Sequence, residues 1–313
     1  MLLAVSTSSA LFLGVTNYPR VGVFLALFSG VPLALAQISH HRQQLGLGAM
    51  VLSGALVEIL GHSPLWLVFY LAWAGMSGVL TGELVRRHYP ISKIVAMVSL
   101  QIAGFTSFII SLAYFKTSGH ILQILQKSFS DSFHLFLANY LKNSPTPISP
   151  SDMVLIKQME PQLFQSFLAI LPGFLLSGII LTAFTQVSLV DEFLMRKSSL
   201  TTRKGISRWY LPDQLVFVFI IALALLAIPH DLTRMLGVNF LLVIGTVYIA
   251  QGAGVITSYT KSRSFGLWFW IVTSAFIMLQ PLILVMLSIV GILDVWLDFR
   301  KLRPQKESTG ESD

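Results

Sequence analysis

The chain of 313 residues contains no cysteine. That absence removes a disulfide framework, a thiolate metal site and a cysteine nucleophile together. Charge is scarce as well. Only 11% of residues are Asp, Glu, Lys or Arg, about half the usual ~25% share of a soluble domain. Also missing are a P-loop, a GxGxxG turn after a strand, an HExxH helix and a GxSxG elbow. Catalysis therefore has no support in the sequence, which predicts a non-enzyme without cofactor or metal. The formal charge of +7 suggests no nucleic-acid partner, because the basic residues fall in short segments between apolar runs rather than on one face.

What is present is apolar: 54% hydrophobic residues and a mean hydropathy of +0.74. The class this predicts is an all-α integral membrane protein, a single polytopic domain over 1–302 with a disordered, charged cytoplasmic tail at 303–313. The start at Met1 lacks a basic n-region and leads into further apolar runs, so it reads as an uncleaved first helix.

The stretch from Leu232 to Ser258 organises the rest. It is long enough to cross a bilayer, yet it carries Asn239, Thr246 and Gln251. A side-chain amide in hydrocarbon must face other helices or a cavity. Gly237, Gly245, Gly252 and Gly254 let neighbouring backbones approach, and Gly252 reads as a packing glycine. The stretch is predicted as the central packing helix.

Before it, spans are predicted at Met1–Val15, Val21–Ile38, Leu45–Leu60, Leu65–Leu80 and Ile94–Tyr114. A polar section then runs from 116 to 165. Its apolar residues Ile121, Leu125, Phe129, Phe133, Phe136 and Tyr140 recur at helical spacing. Ile121–Leu141 reads as an external amphipathic helix lying on the membrane or over the bundle. Ser149 and Pro150 read as the start of a helix kinked near Pro161. Phe167–Val190 is a sixth span with a kink at Pro172, and Leu215–Ile228 a short seventh. Phe265–Val295, interrupted by Pro281, follows the central helix as either one kinked helix or a hairpin turning near Gln280.

The basic loops at 86–93, 196–208 and 261–263 all fall on the cytoplasmic side if 116–165 is external. The basic residues after Phe299 join them if 265–295 is a hairpin. That reading gives about ten spans, within a range of eight to ten, and both termini inside.

Several residues invite a functional reading beside a structural one. Asn239 and Thr246 are seven residues apart, nearly on one helical face, with Gln251 about a third of a turn round. They line a pocket for a small polar molecule or serve as interhelical hydrogen bonds. Glu58, near the external end of its span, binds a proton or cation there or meets interfacial water. Gly75, Gly78 and Gly82 run down one helix and read as close packing rather than a substrate path. Asp294, Asp298 and Arg300 bracket a helix end. The two carboxylates are four apart and repel unless a cation balances them, so the group reads as an interfacial clamp or as a docking point for a cytoplasmic or membrane protein partner. His230 and Asp231 read as a capped turn opening the next helix rather than a metal pair.

Four segments taken in order carry a resemblance: Trp209-Tyr210-Leu211-Pro212-Asp213, Asn239-Phe240-Leu241-Leu242, Gln251-Gly252, and Gly291-Ile292-Leu293-Asp294 with Asp298-Phe299-Arg300-Lys301. In order and spacing they resemble the YybS-like (DUF2232) family of predicted bacterial membrane proteins of unknown function, over about residues 205–302. The resemblance implies a bacterial inner-membrane protein. It also implies a distant likeness to the substrate-binding S components of energy-coupling-factor transporters, from which this chain departs in its span number and its long external insertion. The function expected is a non-catalytic substrate-binding or transport component for a small polar molecule. The alternative is a membrane scaffold of envelope or division machinery. In either case the bilayer is a partner.

Overall fold

The computed structural model describes residues 1–40, 43–143, 149–197, 205–260 and 280–302. Among them no strand occurs. The helices are α1 (Leu2–Asn17), α2 (Pro19–Ala26), α3 (Gly30–His40), α4 (Gln43–Gly61), α5 (Pro64–Tyr70), α6 (Met76–Arg86), α7 (Ile91–Lys116), α8 (Ile121–Asn143), α9 (Pro150–Lys197), α10 (Leu215–Ala227), α11 (Asp231–Thr260) and α12 (Pro281–Leu297). A π-helical turn, Leu71–Gly75, joins α5 to α6 without a break.

Five helices are long and apolar enough to cross a membrane: Gln44–Gly61, Pro64–Arg86, Ile91–Lys116, Met153–Leu194 and Asp231–Thr260. Four more apolar helices are shorter, among them Leu2–Thr16, Leu215–Ala227 and Leu282–Leu297. The expected count of about ten spans is therefore not confirmed among the described residues, and 265–279, the first part of 265–295, lies outside them.

The second predicted span, Val21–Ile38, is not one helix. It breaks at residues 27–29, where Phe28 and Ser29 donate to carbonyls three residues back, Leu25 and Ala26, at 3.1 Å each. The cause lies at Pro32. Without an N–H it cannot serve the Phe28 carbonyl, which takes the Val31 N–H at 3.0 Å instead. The first half, α2, lies directly on α1, with the Gly22 and Gly14 backbones in contact.

Close approaches fix the direction of the main helix pairs. A Cβ on Gly78 would meet the Gly30 carbonyl and one on Gly82 the Ala34 carbonyl, so α6 runs parallel to α3. A Cβ on Gly291 would meet the Tyr248 carbonyl, and Gln251 bonds Asp294, so α12 runs parallel to α11. Gly237 sits against Ala222 and Leu226, whereas Tyr248 packs with Val216, so α10 is antiparallel to α11.

Two of the apolar cores meet at one residue. Ile94, Val98 and Ile102 of α7 pack with Ile179, Ala183 and Val187 of α9 and with Leu84 and Val85 of α6. A second core gathers Leu211, Ile244, Tyr248 and Val295. Trp209 touches both. Outward-facing Leu100, Phe115, Phe174 and Phe217 are exposed, as faces meeting lipid rather than water can be.

The 116–165 section contains the expected helix, α8, set against the start of α9. It turns at Gly119, whose φ of +83° suits glycine, and α8 then runs back along the first turns of α9. Phe129 lies 5.4 Å from Phe164 and 5.6 Å from Phe167, and His134 lies 3.5 Å from Glu160. Helix α9 starts at Pro150, as predicted, and continues through Pro161 and Pro172 for 48 residues. That length, roughly 72 Å, exceeds a ~30 Å hydrocarbon core. Its first part thus extends beyond the bundle with α8 beside it.

Candidate functional site

The end of α12 is built by a backbone reversal. Asp298 adopts φ 40°, a left-handed conformation open to Asp and Asn more than to most residues, and its carboxylate accepts the Leu302 N–H at 3.0 Å. The turn sends Arg300 back over the helix. Its Nη2 donates to Asp294 Oδ2 at 2.7 Å and its Nε to the same oxygen at 3.2 Å, while Nη1 donates to the Trp209 carbonyl at 2.7 Å. Gln251 joins from α11: its Nε2 donates to Asp294 Oδ2 at 2.7 Å, and its Oε1 accepts the Leu211 N–H at 3.1 Å. The Arg300 and Asp294 side chains are only 2% and 3% exposed. One carboxylate oxygen thus ties α11, α12 and the 205–211 segment together. The recess beside it, lined by Tyr210, Gln251, Asp294 and Arg300, has room for about one water.

Three of the four segments that carried the resemblance converge here. Trp209, Leu211, Gln251, Asp294 and Arg300 share this one network, and Gly252 lies against the Leu287 carbonyl beneath it.

Asn239 lies elsewhere, twelve residues earlier on α11. Its Nδ2 donates to the Ala169 carbonyl at 2.7 Å and its Oδ1 accepts the Gly173 N–H at 2.5 Å. Those two backbone groups are the partners of one helical rung of α9, next to Pro172. The carboxamide engages both where the missing proline N–H already weakens the ladder. Thr246 donates to the Leu242 carbonyl one turn back, at 2.9 Å. Glu58 is exposed on α4, which packs with α1 and α3, whereas α11 packs with α9, α10 and α12. The four residues expected to line one pocket are therefore not brought to a common lining.

The predicted packing glycines sit at contacts. Gly75 faces Met50 of α4, and Gly78 and Gly82 face the backbone of α3. Beside Gly82, Glu83 accepts Gln37 Nε2 at 3.1 Å, Arg86 Nη2 at 2.8 Å and Arg87 Nε at 2.6 Å. The hydrogen bond to Glu83 is the main reason that the Arg87 guanidinium is held still more firmly protonated than usual, with its Coulomb attraction next.

A third group was not foreseen. Gln186 of α9 has no solvent exposure, and neither its Oε1 nor its Nε2 has a hydrogen-bond partner. Its carboxamide abuts Gly30, the first residue of α3 after the helix break, with atoms 2.8–2.9 Å from where a Cβ would stand. On the other side of Gly30 lies Gly78, and above it in the same helix is the π-turn 71–75, whose Ala72 carbonyl takes a bond from Gln101 of α7 at 2.9 Å. Thr81, also fully buried, leaves its hydroxyl without a partner. A broken helix, a π-turn and an unpaired buried amide thus meet between α3, α6 and α9. Such irregularities recur at functional sites and at the binding centres of transporters. The sequence did carry a signal: Gln37 and Gln186 interrupt apolar runs as Gln251 does. Among the described residues no cluster of three or more His, Asp or Glu could hold a metal.

The chain belongs to the family described as predicted membrane protein (DUF2232), whose profile matches residues 6–295. Neither the curated proteins nor the solved structures contain a match.

Proposed function

We propose that this chain is a non-catalytic component of the bacterial inner membrane that binds a small polar molecule for transport, with both termini in the cytoplasm. One observation carries the reading: the Gln186 carboxamide is buried without a hydrogen-bond partner at the break between α2 and α3. A lone buried amide costs free energy of about 1–3 kcal/mol. A ligand offering one donor and one acceptor would remove that penalty. On this reading the binding centre is at Gly30 and Gln186 rather than at Asn239 and Gln251.

Thermal unfolding of the detergent-purified protein against vitamins, nucleobases and amino acids tests this. A ligand at a hundred times its dissociation constant should add ~2.7 kcal/mol. In Gln186→Leu the ligand-free protein should be at least as stable as the parent, because an unsatisfied amide is gone, while the ligand shift is lost. A shift unchanged by Gln186→Leu would move the site elsewhere.

A second reading has its own support. Asn239 and Gln251 are both used up in interhelical bonds, as in a membrane scaffold whose polar residues are structural. No shift across the panel, with Gln186→Leu more stable than the parent, would favour that scaffold.

A further inference from the structure

Two distant parts of the chain contain the same arrangement. In the first, Gln37 of α3 donates to Glu83 of α6 at 3.1 Å, and Arg86 donates to the same oxygen at 2.8 Å. In the second, Gln251 of α11 donates to Asp294 of α12 at 2.7 Å, and Arg300 donates to that oxygen at 2.7 Å. Both helix pairs are parallel. In both, a glycine of the second helix meets the carbonyl three residues before the glutamine: Gly82 at Ala34, Gly291 at Tyr248. The amide and its acid are 46 residues apart in the first and 43 in the second.

The two groups sit at the same end of the bundle. Trp209 packs in the core that contains Leu84 and Val85, the residues after Glu83, and its carbonyl holds Arg300. Between them runs α9, with Gln186 directed at Gly30. Gly30 precedes Gln37 by seven residues, so the unpaired amide lies roughly 10 Å further into the bundle than the first carboxylate.

We infer that the two amide–carboxylate–guanidinium groups, Gln37–Glu83–Arg86 and Gln251–Asp294–Arg300, are paired latches that close the basic end of the bundle beneath the Gly30–Gln186 junction. Each latch pins one parallel helix pair. Release of the amide would free the two helices of each pair from that tie, and Glu83, held by Arg87 Nε at 2.6 Å as well as by Arg86, stays balanced when Gln37 leaves. The first latch is the wetter: Arg86 is 31% exposed and Arg300 only 2%. It opens first. The inference rests on the proposed binding centre only for what the gate covers. The gate itself is tested without a ligand.

The absence of cysteine makes the test direct. Thr81→Cys places a near-isosteric thiol at a buried site of α6 between Gly78, which meets Gly30, and Gly82, and a membrane-impermeant thiol reagent is applied to inside-out and right-side-out vesicles. With intact latches the thiol should react slowly from both sides. Glu83→Gln should raise the rate from the cytoplasmic side several-fold, and Glu83→Gln with Asp294→Asn by tenfold or more, with no change from outside. The unfolding temperature of each variant, and the reactivity of a second thiol at exposed Ser111 of α7, separate gating from loss of fold. Equal rates in parent and double variant, a rise from the external side, or a rise in step with unfolding would each overturn the gate. A gate that opens as expected in a protein with no ligand shift would refute the binding centre alone.

Discussion

Arg300 and Asp294 are six residues apart in sequence and 2.7 Å apart in space, with both side chains almost fully buried. They meet only because Asp298 reverses the backbone at the end of α12. A continuing helix would carry position 300 about a third of a turn round from position 294 and roughly 9 Å along the axis.

Removing the cation should therefore be costly. Arg300→Ala leaves Asp294 buried beside Gln251 alone, and breaking a buried pair costs about 3–5 kcal/mol. Arg300→Lys should recover part of this, since an ammonium cannot reach Asp294 and the Trp209 carbonyl together as a guanidinium does. Asp294→Leu combined with Arg300→Met should lie closer to the parent than Arg300→Ala does. Chemical unfolding in detergent, compared across the three variants, measures the order. If Arg300→Ala unfolds like the parent, the pair is not the tie described.

Asn239→Ala should loosen α9 from α11. Interhelical hydrogen bonds in membranes average ~0.6 kcal/mol and reach ~1.7, and Asn239 makes two across to α9. A loss of about 1–3 kcal/mol is expected. Asn239→Asp should cost at least as much, because one carboxylate oxygen then faces the Ala169 carbonyl and a charge within a membrane helix is itself costly. The check is the unfolding midpoint, and an unchanged midpoint in Asn239→Ala would contradict the bridging role.

Two glycines give a paired control. A methyl on Gly291 meets the Tyr248 carbonyl, and one on Gly104 meets nothing within 4 Å. Gly291→Ala should cost about 1–3 kcal/mol or more, as overpacking does. Gly104→Ala, inside α7, should be neutral or stabilising by up to ~1 kcal/mol through helix propensity. Equal behaviour of the two would show that α11 and α12 are not packed as closely as described.

Local physics was legible throughout. The chain turns at 61–64, between the predicted spans Leu45–Leu60 and Leu65–Leu80, with the Ser63 hydroxyl accepting the Leu65 N–H, and α11 opens at Asp231. The packing glycines of α6 were readable because a residue without a side chain in a membrane helix has close approach as its main use. The break at residues 27–29 was missed although Pro32 is plain in the sequence, because hydropathy counts apolar residues and is blind to a missing N–H. The shared role of Gln251 and Asp294 was missed because the two lie 43 residues apart, and pairing at that separation depends on helix direction.

By itself, then, the sequence determined the class of molecule. Scarce charge and long apolar runs leave a helical membrane bundle as the state that satisfies every backbone group in lipid. It also marked which polar residues need a partner. Which partner each one found was decided only by the tertiary structure. A buried amide bonds whichever group the packing brings within about 3 Å, and that is set by glycine contacts and helix directions summed over the whole bundle. Asn239 found a rung of α9, Gln251 found Asp294 and Leu211, and Gln186 was left facing Gly30 with its bonds unmade.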